Sequence, residues 1–197
     1  MTELRTYGGR SGADRLAERR VRLVEAGRTL LTAEGGPGGF TLRAVCRETG
    51  LTARYFYESF ADTGELARTV YDECIATITT QTLAALAEVG HDPAEAVRAA
   101  LGALVDLIAA DPSRGRLLFS PALAVVPEIA AQRAASTRLF VDLVGAEASS
   151  RTALTGGPRL LVTAELLVGG VAQVVSAWLD GHLTATRDEV VEVCATS

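Results

Sequence analysis

The sequence predicts an all-α protein: a three-helix N-terminal domain with a helix-turn-helix, then a helical bundle, with about nine helices in total. Residues 41–60 have the pattern of two short helices joined by a glycine-containing turn. Elsewhere apolar side chains recur at helical spacing, and no segment alternates as a strand would. We therefore divide the chain into an N-terminal arm (1–13), a helix-turn-helix domain (14–62) and a larger helical domain (63–197).

Charge is distributed unevenly along the 197 residues, whose formal net charge is −5. Residues 1–62 carry ten arginines and eight acids, a net of +2, whereas residues 63–197 carry nine arginines and sixteen acids, a net of −7. This asymmetry favours a nucleic-acid-binding head on a body that does not contact phosphate, although a chance fluctuation would look the same. Because 48% of the residues are hydrophobic, the chain can bury a core.

The first helix is predicted to run from Asp14 to Glu34. In the arm before it, Arg5 and Arg10 could reach a minor groove or belong to an inert tail. The glycine cluster at residues 35–39 stops the helix. This cluster lacks the Gly-Lys-Ser/Thr ending of a phosphate-binding loop, so we interpret it as an interhelical turn. The apolar stripe of the first helix consists of Leu16, Leu23, Val24, Gly27, Leu30 and Leu31.

Two short helices follow the glycine cluster. Thr41 can cap the first, because its hydroxyl can accept a hydrogen bond from a free backbone N–H of the opening turn. Gly50 suits the left-handed position that ends this helix. Thr52 is placed to cap the second helix, on which Phe56 and Phe60 lie four residues apart on one face. Helix, turn and helix in about twenty residues is typical of proteins that read the major groove of DNA.

The larger domain begins with a capped long helix, predicted at residues 62–89. Asp62 and Glu65 have the spacing of a capping box, in which each carboxylate accepts from an unpaired backbone N–H. Later helices begin at proline, which favours the first helical position, and Gly181 ends the penultimate helix. These helices open at Asp92-Pro93, Asp111-Pro112 and Pro127, and the last two span residues 159–180 and 187–195.

These features resemble the tetracycline-repressor (TetR) family of transcriptional regulators. The resemblance covers about residues 14–70 and is most specific in Leu51-Thr-Ala-Arg-Tyr-Phe-Tyr-Glu-Ser-Phe60 and in the cap before Leu66. It implies an obligate homodimer that binds a palindromic DNA operator as a repressor. A small apolar or amphipathic effector bound in the helical body would release the DNA. Activation instead of repression stays open.

The resemblance also implies which side chains contact DNA. The second short helix would enter the major groove, where Arg54 would pair with guanine or contact a phosphate. Members of the family often carry Gly-Thr where this chain has Arg54-Tyr55, and a lysine where it has Thr63. We therefore expect an operator sequence of its own and a weaker phosphate contact near Thr63. The predicted DNA-contacting residues are Thr41, Arg43, Thr52, Ala53, Arg54, Tyr55 and Tyr57.

The resemblance implies two further sites in the larger domain: an effector pocket among its helices and a dimer surface on the apolar helix at 159–180. Gly169-Gly170 would permit close approach of a partner backbone there. Both sets of residues could instead be plain core. The predicted pocket residues are Cys74, Ile78, Leu104, Ile108, Phe119, Arg133, Phe140, Gln173 and Trp178. The predicted dimer residues are Leu160, Ala164, Leu167, Val168, Val171, Val175 and Trp178.

A helical enzyme or binding protein that uses the cavity of the body is the alternative hypothesis. The only histidines, His91 and His182, are isolated, and no Cys/His or Ser/His/Asp grouping has a recognisable spacing. We therefore predict no catalytic residues, no metal site and no cofactor.

The cysteines and one apolar segment bear on the cellular compartment. Three cysteines without a CxxC spacing and no signal peptide predict reduced thiols in the cytoplasm, although a redox role of Cys46 or Cys74 stays open. Residues 160–179 have the length of a transmembrane helix. Glu165 within them would cost about 2.5–3.5 kcal/mol on insertion. We therefore favour a helix in a core or a dimer interface and expect no membrane partner.

Overall fold

The computed structural model describes residues 12–33, 36–151 and 157–196. These ranges contain nine α-helices, two short 3₁₀ turns (Gly36–Gly39 and Pro121–Val125) and no strand, so the all-α prediction is confirmed. The helices are α1 (Gly12–Leu31), α2 (Leu42–Thr49), α3 (Ala53–Tyr57), α4 (Thr63–Ala87), α5 (Pro93–Ala110), α6 (Pro112–Phe119), α7 (Pro127–Arg151), α8 (Pro158–Leu179) and α9 (Arg187–Thr196).

The N-terminal arm predicted at 1–13 lies outside the described residues, apart from the two residues that open α1. α1 itself ends at Leu31, before its predicted end. The 3₁₀ turn that follows occupies the glycine cluster, as expected of an interhelical turn.

The turn between α2 and α3 is built as the sequence predicts, with one exception. The Thr41 hydroxyl accepts from the backbone N–H of Ala44 at 3.2 Å. Gly50 ends α2 with a φ of 67°, a left-handed conformation that favours glycine. Thr52 occupies the N-cap position of α3 as predicted, but its side chain makes no capping hydrogen bond.

The long helix α4 begins with the predicted capping box. The Asp62 carboxylate accepts from the N–H of Glu65 at 2.7 Å, and the Glu65 carboxylate accepts from the N–H of Ala61 at 2.6 Å. Asp92 and Asp111 cap α5 and α6 in front of their prolines. These caps satisfy backbone donors that the first turn of a helix leaves unpaired, which is why the helix starts can be predicted locally.

A single core runs from the N-terminal helices into the body, because α4 belongs to both. The first turns of α4 pack against α1 at Gly27, where a Cβ would lie 3.0 Å from Val70. Further along α4, Tyr71 and Ile78 are buried in the same core. A smaller core joins α5 to α9. The division at residues 62 and 63 stays a prediction, since the packing continues across it.

α8 is apolar on two opposite faces, and only one of them packs on its own chain. Ala164 and Val175 on the inner face are each 1% exposed. We call the opposite side the outer face of α8; Leu166 on it is 72% exposed. By length and by its mean hydropathy of 1.8, α8 could cross a membrane, a weak indication that core helices of soluble proteins also give. The outer face consists of Leu161, Val162, Glu165, Leu166, Gly169, Gly170 and Gln173.

Candidate nucleic-acid interface and ligand cavity

The short helix α3 is held in place by an aromatic cluster. Phe56 is 0% exposed and Phe60 is 2% exposed, and their ring centroids are 5.9 Å apart. Tyr57 meets Phe56 edge-on at 5.5 Å while keeping 59% of its own surface exposed. A helix of 5 residues has no stability of its own, so packing of these rings sets its position.

Arginines of α1 tie the helix-turn-helix to the rest of the domain. Arg19 pairs with Glu58 at 3.1 Å, and its guanidinium carbon lies 4.7 Å from the ring centroid of Tyr55. Arg20 donates to the carbonyl oxygen of Ser59 at 2.9 Å and stacks over the ring of Phe60. The sequence does not predict these contacts. Its one indication of them is that arginines of α1 lie on the side away from the apolar stripe.

Arg22 completes this attachment, because it donates to the carbonyl oxygen of Thr49 in the last turn of α2. That carbonyl belongs to a helix end, where backbone acceptors lack intrahelical partners. The three arginines therefore fix both helices of the motif against α1.

All of the predicted DNA-contacting residues lie on the exposed surface of the helix-turn-helix. The Arg54 side chain is 85% exposed and lies 3.4 Å from the Glu58 carboxylate. An exposed pair of this kind is worth about 0–1 kcal/mol, so DNA could displace it at little cost. Tyr55 is 39% exposed, with Arg19 over its ring. The exposed set is Thr41, Arg43, Thr52, Ala53, Arg54, Tyr55 and Tyr57.

A cavity of about 270 Å³ lies in the helical body, bounded by all the helices from α4 to α9. We call it the body cavity. Its walls are mostly aliphatic and aromatic, and α7 contributes Arg133, Ser136, Thr137, Phe140 and Val144 at helical spacing. Five of the predicted pocket residues line it: Ile78, Leu104, Phe119, Arg133 and Phe140.

The other four predicted pocket residues lie elsewhere. Cys74 and Ile108 are buried in the packing between helices, at 5% and 0% exposure. Gln173 belongs to the outer face of α8. Trp178 packs in the smaller core, where its indole N–H donates to the carbonyl oxygen of Ala185 at 2.9 Å. Sequence periodicity predicts which side chains lie on the same face of a helix. It does not predict which of those side chains border a cavity.

Three neighbouring polar side chains, Tyr71, Arg133 and Ser136, line the body cavity, and the sequence predicts only Arg133 among them. The Ser136 hydroxyl donates to the carbonyl oxygen of Arg133 at 3.0 Å and lies 2.9 Å from the Tyr71 hydroxyl. Arg133 donates through Nη2 to the carbonyl oxygen of Leu117 in α6, at 2.9 Å. Burial raises the pKa of Tyr71, so this phenol is neutral at physiological pH.

Cys74 does not have the environment of a redox sensor. Burial raises its pKa to about 11, so near neutral pH the side chain is a thiol and not the reactive thiolate. His91 and His182 are both exposed. In the part of the chain that the structure describes, no three His, Cys, Asp or Glu side chains are grouped so that they could hold a metal ion.

Comparisons with known proteins identify the fold. No protein-family model and no curated protein matches the chain. Among solved structures, it is similar to the fatty acid degradation regulator FadR from Bacillus halodurans, with a TM-score of 0.75 at 12% identity over 90% of this chain and 93% of that one. It is also similar to a TetR-like transcriptional regulator from Rhodococcus sp. RHA1, with a TM-score of 0.71 at 16% identity over 91% and 93%. The chain has the TetR-family fold.

A third structure of this fold shows two kinds of ligand at once. AibR, solved in complex with isovaleryl coenzyme A and operator DNA, matches with a TM-score of 0.68 at 15% identity over 90% of this chain and 96% of that one. In the present chain, the helix-turn-helix and the body cavity lie in separate parts of the fold, since α4 to α9 form the cavity and α2 and α3 form the motif.

In this TetR-family fold, two of the dimer residues predicted on α8, Ala164 and Val175, lie on its buried inner face, which corrects the prediction for these two. Ala164 and Val175 are buried within the chain, and Leu167, Val168 and Val171 line the body cavity. Trp178 packs in the smaller core and Leu160 is half-buried. The cause is that α8 is apolar on both sides, so its sequence does not reveal which side packs on its own chain.

Helix α6 connects the first helix of the N-terminal domain to the body cavity, because it is held at both ends. At its start, Arg28 of α1 donates to Asp111 and to Ser113. Near its end, the Leu117 carbonyl accepts from Arg133. Burial alone would raise the pKa of Asp111, but hydrogen bonds from Ser113 and the charge of Arg28 outweigh it, and the net shift is downward.

Replacing Arg28 with methionine should lower the free energy of unfolding by about 1–2 kcal/mol, because a charge-assisted contact between α1 and α6 is lost. A carboxylate whose pKa is lowered by folding contributes stability above its unfolded pKa and loses it as the pH falls. The difference between Arg28→Met and the wild type should therefore shrink from about pH 7 to about pH 3. Urea unfolding of both proteins, in a double-mutant cycle with Asp111→Asn, measures it. A coupling energy of zero at neutral pH would refute the contact.

Proposed function

We propose that this chain is a DNA-binding transcriptional regulator of the TetR family that responds to a small molecule. The observation that carries the proposal is the exposed helix-turn-helix surface, fixed against α1 by three arginines and aromatic packing. A preformed protruding helix of this kind is the geometry that major-groove readers use. Proteins of the same fold, one of them solved with operator DNA, support it.

In this proposal, the exposed residues of the motif divide into two kinds of contact. Arg54, at the start of α3, reads a base, and a guanidinium that pairs with guanine O6 and N7 supplies about 1–3 kcal/mol of discrimination. Thr41, Arg43, Thr52 and Tyr57 contact phosphates, which orient the protein without reading sequence. Ala53 and Tyr55 complete the surface that faces the groove. The Thr52 hydroxyl suits this role, since α3 does not use it as a cap.

The protein binds DNA as a homodimer in this proposal, with the outer face of α8 as the dimer surface. Leu161, Val162 and Leu166 expose 56%, 67% and 72% of their surfaces in one chain. A Cβ on Gly169 or Gly170 would meet nothing within 4 Å, so a partner helix has room to approach. A two-fold dimer presents two recognition helices to a palindromic operator. Recovery in the soluble fraction without detergent would separate this use of α8 from membrane anchoring.

The body cavity is the effector site, and effector binding releases the operator. The cavity is lined mostly by apolar side chains with a few polar groups, as small-molecule sites are. Helix α6 would couple the cavity to the helix-turn-helix domain. It lines the cavity through Leu118 and Phe119 and contacts α1 through Asp111. Release of DNA by the effector makes the protein a repressor.

A gel shift tests this function, using full-length protein and the DNA that flanks its own gene. We expect a sequence-specific complex at moderate salt that survives excess unrelated DNA, since repressors of this kind commonly control neighbouring genes. Folded dimer that forms no specific complex with this DNA or with any selected sequence would refute the proposal.

Replacing Arg54 with alanine should relax the preference at one base position and weaken specific binding about 5–150-fold, which corresponds to 1–3 kcal/mol. Tyr57→Phe is the matched variant, because it removes a phosphate contact and should weaken binding to all sequences similarly. Binding of both variants to an operator and to its single-base variants measures the two effects. A base preference that Arg54→Ala leaves intact would show that Arg54 does not read a base.

A further inference from the structure

We propose that the ligand of the body cavity is an amphipathic molecule with an oxyanion head, bound by Arg133, and an apolar chain. This inference rests on the proposed function only in taking the body cavity as the effector site. It goes further by stating the charge and the orientation of the ligand.

Arg133 is a half-buried cation that pairs with no carboxylate in the described part of the chain. Its Nη2 donates to the Leu117 carbonyl oxygen, but its Nε is excluded from solvent and has no hydrogen-bond partner in the described structure. Among the described residues, the neutral phenol of Tyr71 is the one neighbour with an electrostatic effect on it. Burial lowers the pKa of Arg133, yet a guanidinium stays protonated at neutral pH. A buried charge left unpaired is costly, so the cavity favours a ligand that brings a negative charge to this point.

The hydroxyl groups of Ser136 and Tyr71 are already hydrogen-bonded, so Arg133 is the main hydrogen-bond donor available to a ligand beside them. Ser136 has a single proton, which goes to the Arg133 carbonyl oxygen. With the Ser136 proton on that carbonyl, the Tyr71 hydroxyl donates to the Ser136 oxygen, 2.9 Å away. Neither proton is free for a ligand. A neutral acceptor would gain only one hydrogen bond here, whereas an oxyanion also gains the charge of Arg133.

The chain of the ligand has room on the side away from Arg133. A second pocket of about 350 Å³ adjoins the body cavity and shares with it residues such as Val97, Phe140 and Leu167. For comparison, a dry cavity of about 150 Å³ holds benzene. The two voids together therefore suit a medium-length acyl or alkyl chain. Tyr71, Arg133 and Ser136 line the body cavity but not the second pocket, so a head group at Arg133 leaves the second pocket to the chain.

Calorimetry with probes of equal chain length tests the ligand class on the full-length protein without DNA. The probes are decanoate, decyl phosphate, decanol and decyltrimethylammonium. We expect the wild type to bind at least one of the two anions about tenfold more tightly than decanol, and the cation most weakly. Whether the carboxylate or the phosphate binds better identifies the head group.

Arg133→Met keeps most of the side-chain volume and removes the charge. It should reduce binding of the preferred anion to about the level of decanol, and it should weaken decanol binding much less, since the alcohol loses one hydrogen bond and no charge. Arg138→Met is the matched control, because Arg138 is exposed on the same helix, and it should bind like the wild type. Equal binding of anions and decanol by the wild type, an anion preference that survives in Arg133→Met, or binding of none of the probes would overturn the inference.

These outcomes are independent of DNA binding. A protein that binds its operator but prefers decanol refutes the oxyanion head and leaves the proposed function standing. A protein that prefers an anion through Arg133 but binds no specific DNA refutes the regulator and leaves the ligand class standing.

Discussion

Replacing Phe56 with alanine should lower the free energy of unfolding by about 3–5 kcal/mol, the usual cost of removing a buried aromatic ring. Phe56 is 0% exposed and contacts both Phe60 and Tyr57. The loss should be large because packing of this ring positions α3 itself, whereas the arginine contacts at Glu58 and Ser59 lie just beyond the end of the helix. Urea unfolding at fixed protein concentration, followed by circular dichroism, measures it.

Tyr57→Ala is the matched control for this experiment, since Tyr57 is the next aromatic residue along α3 and is 59% exposed. It should lower the free energy of unfolding by at most about 0.5–1.5 kcal/mol, the usual worth of its edge-on contact with Phe56 and well below the loss in Phe56→Ala, while weakening DNA binding. A Tyr57→Ala protein as unstable as Phe56→Ala would mean that the division of α3 into a buried and a DNA-facing side is wrong.

Replacing Leu166 with glutamate should convert the proposed dimer into monomers. Leu166 is 72% exposed at the middle of the outer face of α8. In a two-fold interface the substitution places two new charges close together in an apolar surface, and neither has a partner. Loss of the second recognition helix should weaken operator binding about 10²–10⁴-fold. Sedimentation velocity measures the mass, and a gel shift measures the affinity.

Val125→Glu is the control, because Val125 is 76% exposed in the turn after α6 and lies outside the proposed interface. It should remain dimeric and bind the operator normally. If Leu166→Glu also sediments as a dimer with unchanged operator affinity, the outer face of α8 is not the dimer surface.

The sequence predicts the helices well because the signals that start and end them are local. The Thr41 hydroxyl, the Asp62–Glu65 pair and the left-handed Gly50 each satisfy or release backbone groups within one turn of their own position. Thr52 shows the limit of such reasoning. Its residue type fits a cap, but the orientation of its side chain is set by the tertiary structure.

What the sequence does not predict depends on contacts between distant segments. The pairing of Arg19 with Glu58 spans 39 positions, and no spacing rule connects them. Helix α8 has apolar residues on both sides, so its sequence does not show which side packs on the chain itself. The sequence therefore predicts Ala164 and Val175 at a dimer surface, whereas both lie in the core. A cavity is harder still to predict from sequence, because it forms where side chains of several helices do not contact one another. Arg133 was predicted there, whereas its polar neighbours Tyr71 and Ser136 were not.

The most direct test of the central claim is selection of binding sites from random double-stranded DNA by the full-length protein. The account predicts enrichment of one palindromic sequence, with half-site centres about 34–36 Å apart or a multiple of that distance. It also predicts that Arg54→Ala changes the enriched bases. A folded wild-type protein that enriches no sequence, or one whose enriched sequence is unchanged in Arg54→Ala and lacks two-fold symmetry, would contradict it.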